Sequence, residues 1–178
     1  MSTSHDPEQH AIQRSHGHGL FAGYSDTYTP LGAYAGLVGI FIGAFAVVTF
    51  VAKRHAAAIP DRISEGDIAL LGVATHKLTR LITKDWVTSP LRAPFTTYRE
   101  STGGGEVRED ARGRGMRRAL GDLFTCAWCS GPWVAGGLAA GWMFWPKFTR
   151  IVSGALVAVT LSDFLHHAYE KAKRWSSS

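Results

Sequence analysis

The sequence predicts an all-α integral membrane protein with about three transmembrane helices and one amphipathic helix on the inner membrane surface. Residues 31–52 and 123–145 carry no charged side chain, and the third apolar run, 148–169, carries only two. Basic residues collect beside these runs. About 20 helical residues, at about 1.5 Å each, span the roughly 30 Å hydrocarbon core of a bilayer, so each run is long enough to cross it.

The composition is that of a single 178-residue domain in which 46% of the residues are hydrophobic. The formal net charge is +5, and most cations lie in residues 53–118 or in the tail. Cations placed beside apolar runs are typical of proteins that contact anionic lipid headgroups. We therefore expect the lipid bilayer as a partner and no nucleic acid.

Residues 1–30 predict a flexible, His-rich N-terminal arm. This segment contains His5, His10, His16 and His18, with Arg14 as its one Lys or Arg. A solvated tail is the interpretation we adopt over metal binding, because a polar segment of this kind offers no fixed ligand geometry.

Residues 31–52 predict the first transmembrane helix, an uncleaved membrane anchor. Lys53 and Arg54 follow the helix directly, so the positive-inside rule places the N-terminus outside and these cations inside. Gly32 and Gly36 form one GxxxG pair, and Gly39 and Gly43 form a second. Such a glycine-rich face lets another helix approach closely, which favours a protein partner or a homo-oligomer.

Residues 53–122 predict a basic cytoplasmic loop that contains an amphipathic helix over 67–84. Apolar residues such as Ile68, Leu71 and Leu78 approximate one helical face, which favours a helix in the membrane interface over a fourth span. Residues 100–118, with three successive glycines and mixed charges, predict a flexible loop. The candidate lipid or anion contacts in this region, with a phosphate-bearing substrate as the sharper alternative, are Lys77, Arg80, Lys84 and Arg92.

Residues 123–170 predict a transmembrane helical hairpin that turns near Pro146. Trp142 and Trp145 mark its outer interface. The basic tail, 171–178, then returns to the cytoplasm, so the C-terminus is expected inside.

Cys126 and Cys129 form a CxxC sequence near the start of the second apolar run. If both lie on a helix, their sulfurs share a face, and unreactive packing thiols, a redox pair and a metal site all remain open. No structural disulfide is expected, because this end of the hairpin is predicted to face the reducing side. Further candidate zinc ligands at the same inner end are His76, Asp163, His166 and His167, and zinc is the one cofactor considered.

Asp163 lies near the inner end of an otherwise apolar run, where a carboxylate is costly unless it is paired or hydrated. We expect an ion pair that docks the basic section onto the helices. The candidate partners are Arg80, Lys84 and Arg92.

Three segments together resemble a bacterial membrane family known as domain of unknown function 1360. They are THKLTRLITKDWVTSPLRAPF, TCAWCSGPW and LSDFLHH, and the similarity covers roughly residues 68–168. The resemblance implies a small multi-pass protein of the bacterial cytoplasmic membrane without an established activity. The His-rich arm and the first apolar run lie outside it.

The function that follows is non-enzymatic: a scaffold, assembly factor or interaction subunit in the cell envelope. The alternative is a membrane-embedded metal-binding protein or enzyme with an inner Cys/His/Asp site. A holin-like pore former is a third class, matched to the small size and the glycine-rich spans.

Overall fold

The computed structural model describes residues 21, 23–25, 27–54 and 64–176. In this part of the chain the fold is mostly helical, as predicted, but it also contains a two-stranded antiparallel sheet that an all-α fold does not include. The elements are α1 (Leu31–Arg54), α2 (Glu65–Thr83), a 3-10 turn (Trp86–Thr88), α3 (Ser89–Arg92), β1 (Thr96–Gly103), β2 (Glu106–Ala111), α4 (Gly115–Thr125), α5 (Ala127–Phe144) and α6 (Pro146–Ser176). The histidines of the predicted arm, His5, His10, His16 and His18, lie outside the described residues.

Two helices in the described part of the chain, α1 and α6, are long and apolar enough to cross a membrane. Their apolar windows are only 6% and 17% buried within the protein. The remaining predicted span, within 123–145, corresponds to α5, which has 18 residues and is not among the helices that meet the length and hydropathy expected of a membrane span. The prediction of about three transmembrane helices is therefore not confirmed.

The four long helices α1, α2, α5 and α6 form a bundle in which successive members alternate in direction. Helix α1 runs parallel to the α4–α5 segment, because Tyr34 bonds to Asp122 and the ring of Phe41 lies 5.1 Å from that of Trp133 further along both. Helix α5 turns at Pro146 into the antiparallel α6. The start of α1 and the C-terminal part of α6 are thus directed to the same end of the bundle. This arrangement does not support the predicted placement of the N-terminus outside and the C-terminus inside.

Helix α2 is a member of this bundle and packs against α5 and α6. Ser64 caps it by accepting a hydrogen bond from the Asp67 backbone N–H at 3.1 Å, which satisfies one free donor of the first turn. Arg150 donates to the Asp67 carboxylate at 2.6 Å near the start of the helix. A helix was predicted at 67–84, so its bounds agree within two residues, while its location in the membrane interface stays a prediction.

The strands β1 and β2 form a hairpin where the sequence predicted a flexible loop. Thr96 pairs with Ala111 at one end, and Gly103 pairs with Glu106 at the other. Gly103, Gly104 and Gly105 have φ angles of 88°, 62° and 79°, a left-handed conformation that glycine adopts without a steric penalty. The expectation was wrong because three glycines in a row permit a tight chain reversal as well as disorder.

Candidate functional site

The first candidate site is built around Arg92, at the end of the single helical turn α3. Pro90 lies in the first turn of α3, where its missing N–H is not needed. The Arg92 side chain is completely buried, and its ion-pair partner, the Glu109 side chain, is 6% exposed. Nε and Nη2 of Arg92 donate to the two carboxylate oxygens of Glu109 at 2.9 and 3.1 Å, the two-point geometry that makes such pairs strong.

The remaining donors of Arg92 bind the chain segments that surround it. Nη1 donates to the Ile82 carbonyl at 2.8 Å and to the Thr88 hydroxyl at 2.7 Å. Nη2 donates to the Asp85 carbonyl at 3.0 Å. Because a guanidinium has five N–H donors and each finds an acceptor here, this side chain joins the end of α2, the following turn and β2. We call Arg92, Glu109 and the groups bonded to them the arginine cluster.

Glu109 keeps its negative charge inside this cluster. Burial by itself raises the pKa of the Glu109 carboxyl, but hydrogen bonds from Arg92 and Thr96, together with the guanidinium charge, lower it by more. The net pKa lies below the usual value for a glutamate. The Thr96 hydroxyl donates at 2.8 Å. The arrangement leaves the pair charged and fully bonded, as suits a structural cross-link between the hairpin and the bundle.

The other predicted lipid or anion contacts also bind protein groups. Lys77 forms an ion pair with Asp163 at 2.8 Å, Arg80 pairs with Glu106, and the Lys84 ammonium donates to the Thr125 carbonyl at 2.9 Å. Headgroup contact stays a prediction for these lysines and Arg80, whereas the complete burial of Arg92 argues against it at that position.

Asp163 is paired, as expected, but with a different residue. Arg80, Lys84 and Arg92 were the candidates, and the partner is Lys77. Lys77 and Arg80 are one turn apart on α2, so they lie on the same side of the helix at different heights. Lys77 bonds to Asp163 of α6, and Arg80, nearer the end of α2, bonds to Glu106 of β2. The pair docks α2 onto α6.

The second candidate site is the cysteine pair, where the structure corrects the expectation of free thiols. Cys126 and Cys129 form a disulfide with a Cα–Cα distance of 5.2 Å. Cys126 is the N-cap of α5 in an extended conformation, φ −106° and ψ 104°, because the predicted continuous run is divided here between α4 and α5. The break turns its sulfur toward the first turn of α5, where the Cys129 N–H donates to it at 3.2 Å.

A cavity of about 550 Å³ lies beside this disulfide, between α1, α4 and α5. Its wall includes Cys129 and the aromatic rings of Phe41 and Trp133. The polar part of the wall is a pair in which the Tyr34 hydroxyl donates to the Asp122 carboxylate at 2.6 Å. Cavities of this size are typical of small-molecule sites.

The six predicted metal ligands do not form one site. Cys126 and Cys129 are bonded to each other, Asp163 pairs with Lys77, and His76 is exposed on α2. His166 and His167 are exposed on α6. In the described ranges no group of three or more histidine, cysteine or carboxylate side chains is placed to hold a metal ion.

Sequence reasoning missed Glu109, Tyr34 and Asp122. A signal for Glu109 exists in hindsight, since Val107, Glu109 and Ala111 alternate with exposed residues and share the inner face of β2. Tyr34 and Asp122 are 88 positions apart and belong to different helices, so no local pattern connects them.

The chain is similar to a family of proteins of unknown function. A family model described as "Protein of unknown function (DUF1360)" matches residues 70–169. The sporulation protein YjcA of Bacillus subtilis (strain 168) is 38% identical over 74 residues, 40% of this chain and 63% of the relative. UPF0713 protein YngL of the same strain is 31% identical over 88 residues, 49% of this chain and 65% of the relative. The chain thus spans less than two thirds of either relative, and no solved structure matches it.

Proposed function

The chain belongs to the DUF1360 family of proteins of unknown function, and we propose that it is a scaffold or interaction subunit of the bacterial cytoplasmic membrane. In this proposal the helix bundle is the membrane anchor and the β-hairpin is the part presented to a partner protein. The observation that carries the proposal is the arginine cluster, which holds a charged hairpin rigidly against an apolar bundle.

Exposed apolar side chains on α1 and α6 support the membrane anchor. Val38, Ile42 and Phe45 of α1 are 50–62% exposed, and Ile151 and Phe164 of α6 are about 70% exposed. Apolar surfaces of this extent are unfavourable in water and are typical of membrane or protein interfaces. Because successive bundle helices alternate in direction, we propose that the protein is multi-pass, with the cation-rich hairpin end in the cytoplasm.

The outer surface of the hairpin supports the partner interface. Its exposed residues form two cross-strand ion pairs, Arg99 with Asp110 and Arg108 with Glu100. Tyr98, 51% exposed, packs edge-on against Trp86 with ring centroids 5.4 Å apart. Exposed aromatic and arginine side chains on a rigid support are the residue types that dominate binding at protein interfaces.

Site-specific photocrosslinking tests this proposal directly. A photoreactive amino acid at Thr102, near the hairpin tip, is expected to give one discrete protein adduct in membranes of the source bacterium. The matched probe at Ile42 of α1 is expected to give lipid adducts. Recovery of the chain in the soluble fraction, or the absence of a protein adduct from Thr102, contradicts the proposal.

A glycine face on α1 supports self-association within the same proposal. A Cβ atom at Gly32, Gly39 or Gly43 would have no neighbour within 4 Å, so this face is open, whereas one at Gly36 would lie 3.5 Å from the Met116 side chain. We expect Gly43→Leu to leave the protomer folded and to lower the dimer fraction in detergent, measured by analytical ultracentrifugation. An unchanged dimer fraction assigns the partner contact elsewhere.

A role in spore formation is a second candidate, favoured by the 38% identity to a sporulation protein. Heat-resistant spores can be counted in Bacillus subtilis lacking that protein, with and without a copy of this chain. A higher count with the chain supports the role, and the same count in both strains speaks against it.

A further inference from the structure

The cavity beside the disulfide combines three features that the proposed scaffold role does not use. Its wall is almost entirely apolar, with Leu37, Phe41 and Trp133 among its residues, and the rings of the last two meet edge-on at 5.1 Å. One sulfur-bearing residue, Cys129, lies in that wall. One polar pair, Tyr34 and Asp122, lies in it as well.

The two cysteines have different surroundings. Cys126 is the N-cap of α5, and its sulfur accepts the Cys129 backbone N–H at 3.2 Å. After reduction, this N–H and the positive end of the helix dipole stabilise a thiolate at Cys126. Cys129 is exposed and borders the cavity. One sulfur is therefore favoured as a thiolate, and the other belongs to a residue that lines the cavity.

We propose that this cavity binds a lipophilic quinone and that the Cys126–Cys129 pair exchanges two electrons with it. A disulfide and its dithiol differ by two electrons and two protons, as do a quinone and its quinol. The planar quinone ring matches the aromatic wall. The Tyr34 hydroxyl oxygen and the Asp122 carboxylate lie 2.6 Å apart, so together they can accept one O–H group of the quinol.

The cavity is also accessible to a molecule dissolved in the membrane. Val38 of α1 lines it and is 58% exposed, on the apolar surface proposed to face lipid. A phospholipid acyl chain would fit the apolar wall but would use neither the disulfide nor the polar pair. These two features favour the quinone.

The reaction balances without a further oxidant or reductant. The Cys129 sulfur adds to a ring carbon of the quinone, so a C–S bond forms, an electron pair moves onto one ring oxygen, and the Cys129 thiol proton goes to that oxygen. The Cys126 thiolate then attacks the Cys129 sulfur, so the S–S bond forms as the C–S bond breaks and its electron pair moves through the ring onto the second oxygen. That oxygen takes from water the proton that Cys126 released when it ionised. One dithiol is oxidised to a disulfide, and one quinone is reduced to a quinol.

The test uses the full chain in lipid nanodiscs, reduced with dithiothreitol, freed of reductant and mixed with a short-chain ubiquinone without oxygen. The sequence contains two cysteines, so thiol counts report this pair alone. We expect each chain to reduce one quinone and to lose two thiols. The reduction is measured by the ultraviolet absorbance of the quinone. The Cys129→Ser variant is expected to reduce no quinone.

Two matched variants locate the reaction. Val38→Trp fills the cavity from an exposed position and is expected to raise the quinone concentration for half-maximal rate at least tenfold. Val47→Trp, on the same helix, 61% exposed and outside the cavity wall, is expected to leave it unchanged. Equal rates for both variants overturn the assignment of the cavity. Thiols that stay reduced in the presence of quinone, as when an acyl chain fills the cavity, overturn the redox proposal.

Discussion

Replacing Arg92 by methionine removes the centre of the arginine cluster while keeping an unbranched side chain of similar length. The change leaves the Glu109 carboxylate, whose side chain is 6% exposed, without its positive partner. It also leaves the Ile82 and Asp85 carbonyls without the donors that reach them at 2.8 and 3.0 Å. Removing one member of a buried ion pair costs about 3–5 kcal/mol, so we expect a loss of about 4 kcal/mol in the free energy of unfolding.

The assay is thermal unfolding of the full chain in detergent, followed by circular dichroism. For a chain of this size, a loss of about 4 kcal/mol lowers the melting temperature by roughly 8–16 °C. The control is Arg99→Met, because the Arg99–Asp110 pair has a similar length, 2.7 Å, but side chains that are 59% and 51% exposed. An ion pair as exposed as this one contributes less than about 1 kcal/mol to the free energy of unfolding, so Arg99→Met should change the melting temperature little.

Two further variants separate charge from hydrogen bonding. Arg92→Lys keeps the charge but has three donors that cannot reach the same acceptors. Most of the loss in unfolding free energy seen for Arg92→Met is therefore expected for Arg92→Lys as well. Arg92→Met combined with Glu109→Gln removes both charges and is expected to be more stable than the sum of the single losses predicts. A loss for Arg92→Met within 1 kcal/mol of that for Arg99→Met refutes the reasoning, as does strict additivity of the double variant.

Three further measurements test Glu109, Gly121 and the Lys77–Asp163 pair. The pKa of Glu109 is lower in the folded than in the unfolded state, where it is about 4.3. Its contribution to stability is therefore complete above the unfolded pKa and is lost as the pH falls through the folded pKa. In melting curves between pH 7 and 3, the melting temperature of Glu109→Gln should depend less on pH than that of the wild type. Gly121→Ala should lower the free energy of unfolding by about 1–3 kcal/mol, because the added Cβ would lie 2.5 Å from a backbone carbonyl oxygen. Gly137→Ala is the control: its Cβ would have no neighbour within 4 Å, so the change should be neutral or stabilising in the same melts. Lys77→Met should cost about 1 kcal/mol, and adding Asp163→Asn should recover part of it in a double-mutant cycle; full additivity would contradict a direct pair.

Local composition was sufficient to locate the long helices, but not α3 or α4. The uncharged run at 31–52 corresponds to α1, Leu31–Arg54, and the predicted helix at 67–84 corresponds to α2, Glu65–Thr83. Helix formation depends on neighbours three or four positions apart, so a sequence pattern contains the necessary information. The family was also correctly identified, because its motifs are contiguous in the chain.

Charge in the sequence was a poor guide to position in the fold. Arg92 was grouped with Lys77, Arg80 and Lys84 as a headgroup contact, yet it is the completely buried member of the set. Its burial depends on Glu109, which lies 17 positions away across a chain reversal and was assigned to a flexible loop. A buried arginine and an exposed one look alike in a sequence, because only the partner groups offset the cost of removing the charge from water.

By itself, the sequence determined the long helical segments, the apolar character of α1 and α6 and the family. The tertiary structure alone decided the disulfide, the hairpin and the pairing of Lys77 with Asp163, 86 positions apart. The physical reason is one of range. Helix propensity and apolar periodicity act over a few residues, while buried ion pairs and cavities arise where segments distant in the chain are packed together.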